Sequence, residues 1–170
     1  MSEDCISMKQ IENKYLRIEQ TETGYIHIFH KNGGVLIIAL TEDRRFVMIK
    51  TKREGVAAGL EFPRGFKEQG ETAVVAAIRE LQEETGIKHA QEWKNIGSFY
   101  PDNGIANGIV DIMVCRCELE REAIIPQVEE NIEKVEILTE ADIWCEIKRG
   151  TITDGISLAA FMCYVARCDD

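Results

Sequence analysis

The feature of the sequence that most restricts the fold is a nearly continuous apolar run at residues 34–40, GVLIIAL. A run of this length, rich in β-branched residues, is typical of a strand inside a protein core. A second apolar stretch, residues 46–50, follows after a polar turn, so the two are predicted to form a hairpin that enters the core. The chain has 170 residues, 45% of them hydrophobic, which suffices for one sizeable core and is short for two. We therefore expect one domain over residues 11–170, after a flexible segment at residues 1–10.

The other elements follow from the spacing of apolar residues. Alternation of apolar and polar residues predicts an N-terminal hairpin at about residues 12–30, with strands at 15–20 and 25–30. Further strands are predicted at 93–100, 108–119 and 135–138, and helices at 72–85, 141–148 and 157–167. This order is typical of a mixed sheet packed against helices, an α/β (α+β) fold with an N-terminal β-hairpin extension.

The helix predicted at residues 72–85 has the clearest periodicity. Gly86 stands where a residue in the left-handed conformation would cap its C-terminus. Four apolar side chains recur at helical spacing and are expected to face the core: Val74, Ala77, Ile78 and Leu81.

Three carboxylates share a different arc of this helix. Glu80, Glu83 and Glu84 occupy positions i, i+3 and i+4, so at about 100° per residue their side chains crowd together. Like charges at this spacing destabilise a helix by about 0.2–0.5 kcal/mol per pair, a cost that hard cations between them remove. Such a cluster by itself is more often a solvated acidic face. Here the glycine-bearing segment Pro63-Arg64-Gly65 leads towards the helix and lets backbone groups approach the acids, which favours a divalent metal site.

The segment that contains these acids carries a specific motif. Residues 65–87 read GFKEQGETAVVAAIRELQEETGI. This segment is similar at every defined position to the Nudix box, G-x5-E-x7-R-E-U-x-E-E-x-G-U, in which U is a bulky aliphatic residue. The matching residues are Gly65, Glu71, Arg79, Glu80, Leu81, Glu83, Glu84, Gly86 and Ile87. Nine matches at fixed spacing make chance a poor explanation.

The resemblance implies the Nudix fold, an α/β/α sandwich around a mixed sheet. It also implies hydrolysis of the pyrophosphate bond in a nucleoside diphosphate linked to another group, with Mg²⁺ as cofactor and Mn²⁺ as an alternative. Arg79 would orient the box glutamates through an ion pair, and Glu71 would be a secondary metal ligand or a structural acceptor. The main metal ligands implied are the side chains of Glu80, Glu83 and Glu84 and the main-chain carbonyl of Arg64.

The carboxylate that removes a proton from the attacking water is expected outside the box. In the Nudix family this base often comes from a separate loop, and here the acidic segment 127–133 precedes a predicted strand. Glu130 is the first choice and Glu129 the second, with a plain solvated loop as the alternative for either. Glu83 and Arg79 complete the predicted catalytic set.

Most of residues 12–168 resembles the ADP-ribose pyrophosphatase branch of the family. Residues 60–65, LEFPRG, are similar to the E-L-P-A-G element of that branch, and Pro101 and residues 150–158 fit its pattern. Residues 51–53, TKR, depart from its Q-Y-R, and an arginine replaces the small residue of E-L-P-A-G, so another nucleotide sugar or a dinucleotide is an alternative substrate. The candidate substrate-binding residues are Arg53, Glu61 and Arg64, and Tyr25 and Phe29 as base-stacking rings. Surface ion pairs for the charged residues, and core or interface packing for the rings, are the alternatives.

Composition restricts the partners and the compartment. The net charge of −10 argues against a protein that neutralises nucleic-acid phosphates or coats an anionic membrane. Six cysteines without a CxxC pair, no signal-peptide pattern and no apolar run of about 18 residues predict a cytoplasmic protein. The expected partner is a small nucleotide, and the resemblance implies a homodimer formed through the N-terminal hairpin. Two other functions stay open, a nucleoside triphosphate pyrophosphohydrolase acting on oxidised nucleotides and a non-catalytic nucleotide-sensing Nudix module.

Overall fold

The computed structural model describes residues 10–52, 55, 58–119 and 131–168. Within these residues, the segments with a regular apolar pattern form strands and helices. The strands are β1 (Gln10–Glu12), β2 (Leu16–Gln20), β3 (Ile26–His30), β4 (Gly34–Leu40), β5 (Phe46–Thr51), β6 (Gly59–Glu61), β7 (Arg64–Phe66), β8 (Ala90–Phe99), β9 (Val110–Cys117) and β10 (Ile132–Leu138). The helices are α1 (Ala73–Thr85), α2 (Glu140–Arg149) and α3 (Gly155–Cys168). None of these helices is long and apolar enough to cross a membrane. The predicted flexible segment 1–10 lies outside the described residues except for Gln10, where β1 begins.

The central strand of the main sheet is β4, and all seven of its residues are buried. It runs parallel to β9 on one side, and on the other it pairs antiparallel with β7 and, at its end, with β5. The strand order is β10-β5-β4-β9-β8, with β6 added beside β5. Because parallel and antiparallel pairs occur together, the sheet is mixed, as the sequence predicted. The strands β1, β6 and β7 were not predicted, since three residues are too few to display an alternating pattern.

Each face of the main sheet is covered by helices. On one face α1 packs against a core that includes Val35, Ile37 and Met113. On the other face α2 and α3 cover a core that includes Ile38 and Phe161. These two layers confirm the predicted α/β/α sandwich, and they explain why β4 is apolar at successive positions rather than at alternate ones.

The predicted N-terminal hairpin is present as β2 and β3, and β1 extends it to a separate three-stranded sheet. Aromatic rings join this sheet to the rest of the molecule. The ring of Tyr15 stacks on Phe66 with centroids 5.3 Å apart, and His30 meets the same ring edge-on at 5.2 Å. The N-terminal sheet therefore contacts β7 directly, beside the glycine that begins the motif.

The buried face of α1 differs from the prediction. Val74 and Ile78, expected in the core, are 37% and 44% exposed, whereas Ala76 and Ala77 are fully buried. The carboxylate of Glu84 faces inward because it accepts a hydrogen bond from the backbone N–H of Arg64 in β7. The helix is therefore rotated so that the acidic arc faces the protein, and the two branched residues face outward.

Replacing Leu81 by Ala is expected to lower the free energy of unfolding by about 2–5 kcal/mol, because this fully buried side chain would leave a cavity. The matched change Ile78→Ala, on the exposed arc of the same helix, is expected to lower it by less than about 1 kcal/mol. Urea unfolding followed by circular dichroism measures both quantities. Equal losses would mean that Ile78 belongs to the core and would contradict the rotation of α1.

Candidate functional site

The site is built where α1 packs against β7, and Gly65 makes this contact possible. A Cβ atom on Gly65 would lie 2.1 Å from the carboxyl carbon of Glu80, well inside van der Waals contact. Only a residue without a side chain lets the Glu80 carboxylate rest on the backbone here. The motif glycine and the motif glutamate therefore form one packing unit.

A second carboxylate is fixed to the neighbouring residue of β7. The backbone N–H of Arg64 donates to Oε2 of Glu84 at 2.9 Å. Glu80 and Glu84 are each only 6% exposed. Burial of two carboxyl groups this close to one strand requires compensating hydrogen-bond donors or cations.

The principal compensating cation is Arg79. Its Nε and Nη2 donate to the two oxygens of Glu71, each at 3.0 Å, which is a bidentate pair. Its Nη1 donates to Glu80 at 2.8 Å and to Glu83 at 2.9 Å. A fifth hydrogen bond, from Nη2 to the carbonyl of Phe66 at 3.0 Å, ties the guanidinium to β7. One planar group thus holds three carboxylates and the loop between β7 and α1 in a single arrangement.

These contacts shift the proton affinities of the partners. Hydrogen bonds from Arg79 hold the pKa of the Glu71 carboxyl below its usual value, and a backbone donor from Glu68 acts in the same direction. The surrounding carboxylates, Glu71 foremost, raise the pKa of Arg79 further above its already high value. Arg79 is therefore permanently charged, and Glu71 stays ionised under mildly acidic conditions.

The local charge is negative even after these pairs are counted. Glu71, Glu80 and Glu83 contact the guanidinium of Arg79, and Glu84 contacts the backbone of β7, so these four carboxylates outnumber that guanidinium by three. Their oxygens are the donors that Mg²⁺ and Mn²⁺ prefer. Within the described part of the chain, no three His, Cys, Asp or Glu side chains converge as a ready-made metal site. The residues fit a divalent cation in donor type and charge, while Arg79 engages Glu80 and Glu83 in the arrangement described.

The side chain of Arg64 points to a different network, which the sequence did not predict. Its Nη2 donates to Glu61 at 3.3 Å and to Asp154 at 3.2 Å. Glu61 is 6% exposed and also accepts from the hydroxyl of Thr51 at 2.9 Å. Asp154 in turn caps α3, since its Oδ2 accepts from the backbone N–H and the hydroxyl of Ser157, each at 2.8 Å. The spacing Asp-x-x-Ser at a predicted helix start was the available signal for this cap.

Of the two rings chosen as base-stacking candidates, Phe29 lies in β3 of the N-terminal sheet and Tyr25 directly precedes that strand. Tyr25 is 71% exposed at the turn end of that sheet, whereas the opposite end of β3 contacts Phe66. One face of Phe29 is covered by Arg17, whose guanidinium carbon lies 4.7 Å from the ring centroid. Tyr25 is therefore at the end of the strand away from the carboxylates of its own chain.

Three predicted site residues lie outside the described residues. They are Arg53, Glu129 and Glu130. Their roles, phosphate binding for the first and proton removal for the others, stay predictions.

A family model and several known proteins resemble this chain. The model described as the NUDIX domain matches residues 30–161. The methanol dehydrogenase activator of Bacillus methanolicus is 35% identical over 97 residues, which cover 56% of this chain and 51% of that protein. The ADP-ribose pyrophosphatase of Bacillus subtilis (strain 168) is 29% identical over 126 residues, which cover 63% of this chain and 68% of that protein. The chain thus spans about half the length of the first relative and about two thirds of the second.

Solved structures show the same fold. A NUDIX hydrolase from Nitrosomonas europaea aligns with a TM-score of 0.63, over 79% of this chain and 88% of that one. The two sequences are 18% identical, so the likeness is one of fold.

The pairing of Glu71 with Arg79 is expected to make stability depend on pH. Because the pKa of Glu71 is lowered by folding, its contribution is complete above the unfolded value of about 4.3 and is lost as the pH falls through the folded value. Urea unfolding of the wild type and of Glu71→Gln should therefore differ most near about pH 7 and least near about pH 3.

Glu22→Gln, at an exposed turn, is the control, and its small effect should not vary with pH in this way. A loss for Glu71→Gln that is equal at both pH values would mean that the charge of Glu71 contributes nothing to stability.

Proposed function

The chain belongs to the NUDIX family, and on this basis we propose that it hydrolyses the pyrophosphate bond of a nucleoside diphosphate derivative with the help of a divalent metal. The proposed substrate is ADP-ribose or a related nucleotide sugar, and the products are AMP and a sugar phosphate. The observation that carries the proposal is the carboxylate cluster around Arg79, in which every acid of the motif contacts either this guanidinium or the backbone of β7.

The proposed cofactor is Mg²⁺, with Mn²⁺ as an alternative. Glu80, Glu83, Glu84 and the main-chain carbonyl of Arg64 would hold it, which agrees with the oxygen donors and the surplus negative charge of the cluster. When bound, such a cation neutralises the diphosphate and lowers the pKa of a coordinated water. Glu83 is the most accessible of the three carboxylates, with 34% of its side chain exposed, so it can leave Arg79 at the smallest cost.

Side chains of the protein are proposed to orient the metal ligands and to remove the proton of the attacking water. Arg79 keeps Glu71 ionised and holds Glu71 and Glu80 in place, which preserves the site whether or not Glu83 changes partner. A carboxylate must take the proton of the attacking water, and Glu130, followed by Glu129, remains the proposed acceptor. Neither of these two belongs to the described residues.

The proposed contact with the substrate phosphates is Arg64. Its Nη2 is engaged with Glu61 and Asp154, while its Nε is buried without a hydrogen-bond partner among the described residues. A phosphate oxygen would satisfy that donor. Glu61 then has two proposed roles, to orient Arg64 and to accept a hydrogen bond from a ribose hydroxyl. The similarity to an ADP-ribose pyrophosphatase supports this choice of substrate.

Incubation of the purified chain with Mg²⁺ and a panel of anhydrides tests the substrate. The panel contains ADP-ribose, other nucleotide sugars, dinucleoside polyphosphates and nucleoside triphosphates, including oxidised ones, and the products are separated by anion exchange. Preferential formation of AMP and ribose 5-phosphate from ADP-ribose is expected. Release of inorganic pyrophosphate from a triphosphate as the fastest reaction would replace this proposal with the sanitising pyrophosphohydrolase. No turnover of any member would favour the non-catalytic nucleotide-sensing module.

The substitution Glu84→Gln tests the assignment of Glu84 as a metal ligand. It should reduce kcat about 10²–10⁴-fold and weaken Mn²⁺ binding, measured by electron paramagnetic resonance, about 10–100-fold. Glu42→Gln, at an exposed turn at the other end of β4, should change neither quantity. Loss of activity with unchanged Mn²⁺ affinity would contradict the role of Glu84 as a ligand.

A homodimer through the N-terminal sheet is the proposed assembly. This sheet exposes Ile11, Tyr25 and Ile26 at 67%, 71% and 52%, which supports coverage by a second copy. A dimer would also offer Tyr25 to the partner's site, since it is remote from its own. Light scattering is expected to give twice the chain mass, and Tyr25→Ser with Ile26→Ser is expected to give a monomer. A wild-type monomer at micromolar concentration would exclude this assembly.

A further inference from the structure

A cavity of about 400 Å³ lies between β8, β9 and the last turn of α3. Its floor is formed by Leu40, Ile96, Val114 and Tyr164, which belong to or pack on the core beneath α3. Along β4 the carboxylate site is at the Gly34 end and the cavity is at the Leu40 end, a separation of about 20 Å at 3.3 Å per residue. The cavity is also on the opposite face of the sheet from α1. It is therefore a separate place from the site described above.

The walls of this cavity are cationic in a chain whose net charge is −10. Arg44, Lys94, Arg116 and Arg167 line it, and the one carboxylate among the described lining residues is Glu92. Glu92 lies 4.0 Å from Nε of Arg116 and so compensates that residue alone. The side chains of the other three cations have no ion pair within the described part of the chain. Like charges gathered around one concave surface repel each other unless an anion is present.

The backbone around the cavity adopts conformations that are costly for ordinary residues. Three described residues other than glycine have positive φ angles, and two of them, Arg44 at 60° and Glu92 at 57°, line this cavity. Strand β8 carries two register shifts here, between Gln91 and Lys94 and again between Asn95 and Gly97. Bulges and strained residues are concentrated at active sites and ligand-binding sites, where they orient side chains.

Arg167 lies at the edge of the cavity, against the part of β8 where Gly97 has no side chain. A Cβ on Gly97 would lie 2.4 Å from Nη1 of Arg167, so the guanidinium rests where a side chain would otherwise be. Gly97 also has a φ of 142°, which few other residues adopt. Because of this glycine, Arg167 lies against the strand that also supplies Lys94.

From these observations we propose that the cavity is a second ligand site, which binds a small organic phosphate with a ring-bearing body, of about the size of a nucleoside monophosphate. The guanidinium groups suit a phosphate group, and the apolar floor suits the ring. The volume lies within the range of small-molecule pockets. The proposal does not depend on the hydrolysis of any anhydride.

Calorimetric titration of the full chain with AMP in the presence of EDTA tests the proposal. AMP has no anhydride bond, and EDTA removes the divalent metal that the carboxylate site is proposed to need. We expect one binding site whose affinity falls with added salt, and a loss of about tenfold or more in Lys94→Gln with Arg167→Gln. Lys148→Gln, which neutralises an exposed cation on α2 outside the cavity lining, is the control and should bind AMP as the wild type does.

Three results would overturn the proposal. The first is an absence of AMP binding by the wild type. The second is equal binding by the wild type and the Lys94→Gln, Arg167→Gln variant. The third is binding of inorganic phosphate as tight as that of AMP, because the apolar floor would then contribute nothing.

Discussion

The arrangement of the carboxylate site depends on the guanidinium of Arg79. Three acids accept hydrogen bonds from it, and two of them come from α1 itself while the third precedes the helix. Without that cation, the charges on one side of α1 would repel each other and would be driven towards water. With it, Glu80 is brought against Gly65, and the acidic arc of the helix becomes an inner surface. The orientation of α1 is thus decided by an ion pair as much as by its apolar residues.

Prediction from sequence succeeded for regular segments and failed where contacts between distant residues decide the structure. Residues 34–40 and 72–85 were recognised because long runs and regular periods are properties of a single segment. Val74 and Ile78 were misplaced because the apolar period alone does not reveal that buried glutamates compete for the inward side of the helix. The contact of Arg64 with Asp154 joins residues 90 positions apart, and no local pattern reports such a pairing.

The motif gave the acids of the site, and the structure adds how they are supported. The sequence predicted that the segment with Gly65 lets the backbone approach the acids, and the structure identifies the acid as Glu80. Thr51, Asp154 and Ser157 support Glu61 and Arg64 from strands and a helix that lie far apart in sequence. The short strands β6 and β7, which escaped prediction, are the elements that carry both Glu61 and Arg64.

Helix α3 reaches from one of these regions to the other. Asp154, which caps its N-terminus, contacts Arg64, and in its last turn Arg167 rests on Gly97 beside the cationic cavity. A helix of 14 residues is about 21 Å long, and a movement of α3 as a rigid body displaces both of its ends. Any ligand that moved one end of α3 would therefore change the geometry at the other. Thermodynamic linkage requires such an effect to be reciprocal, so that each ligand would alter the affinity of the other by the same factor.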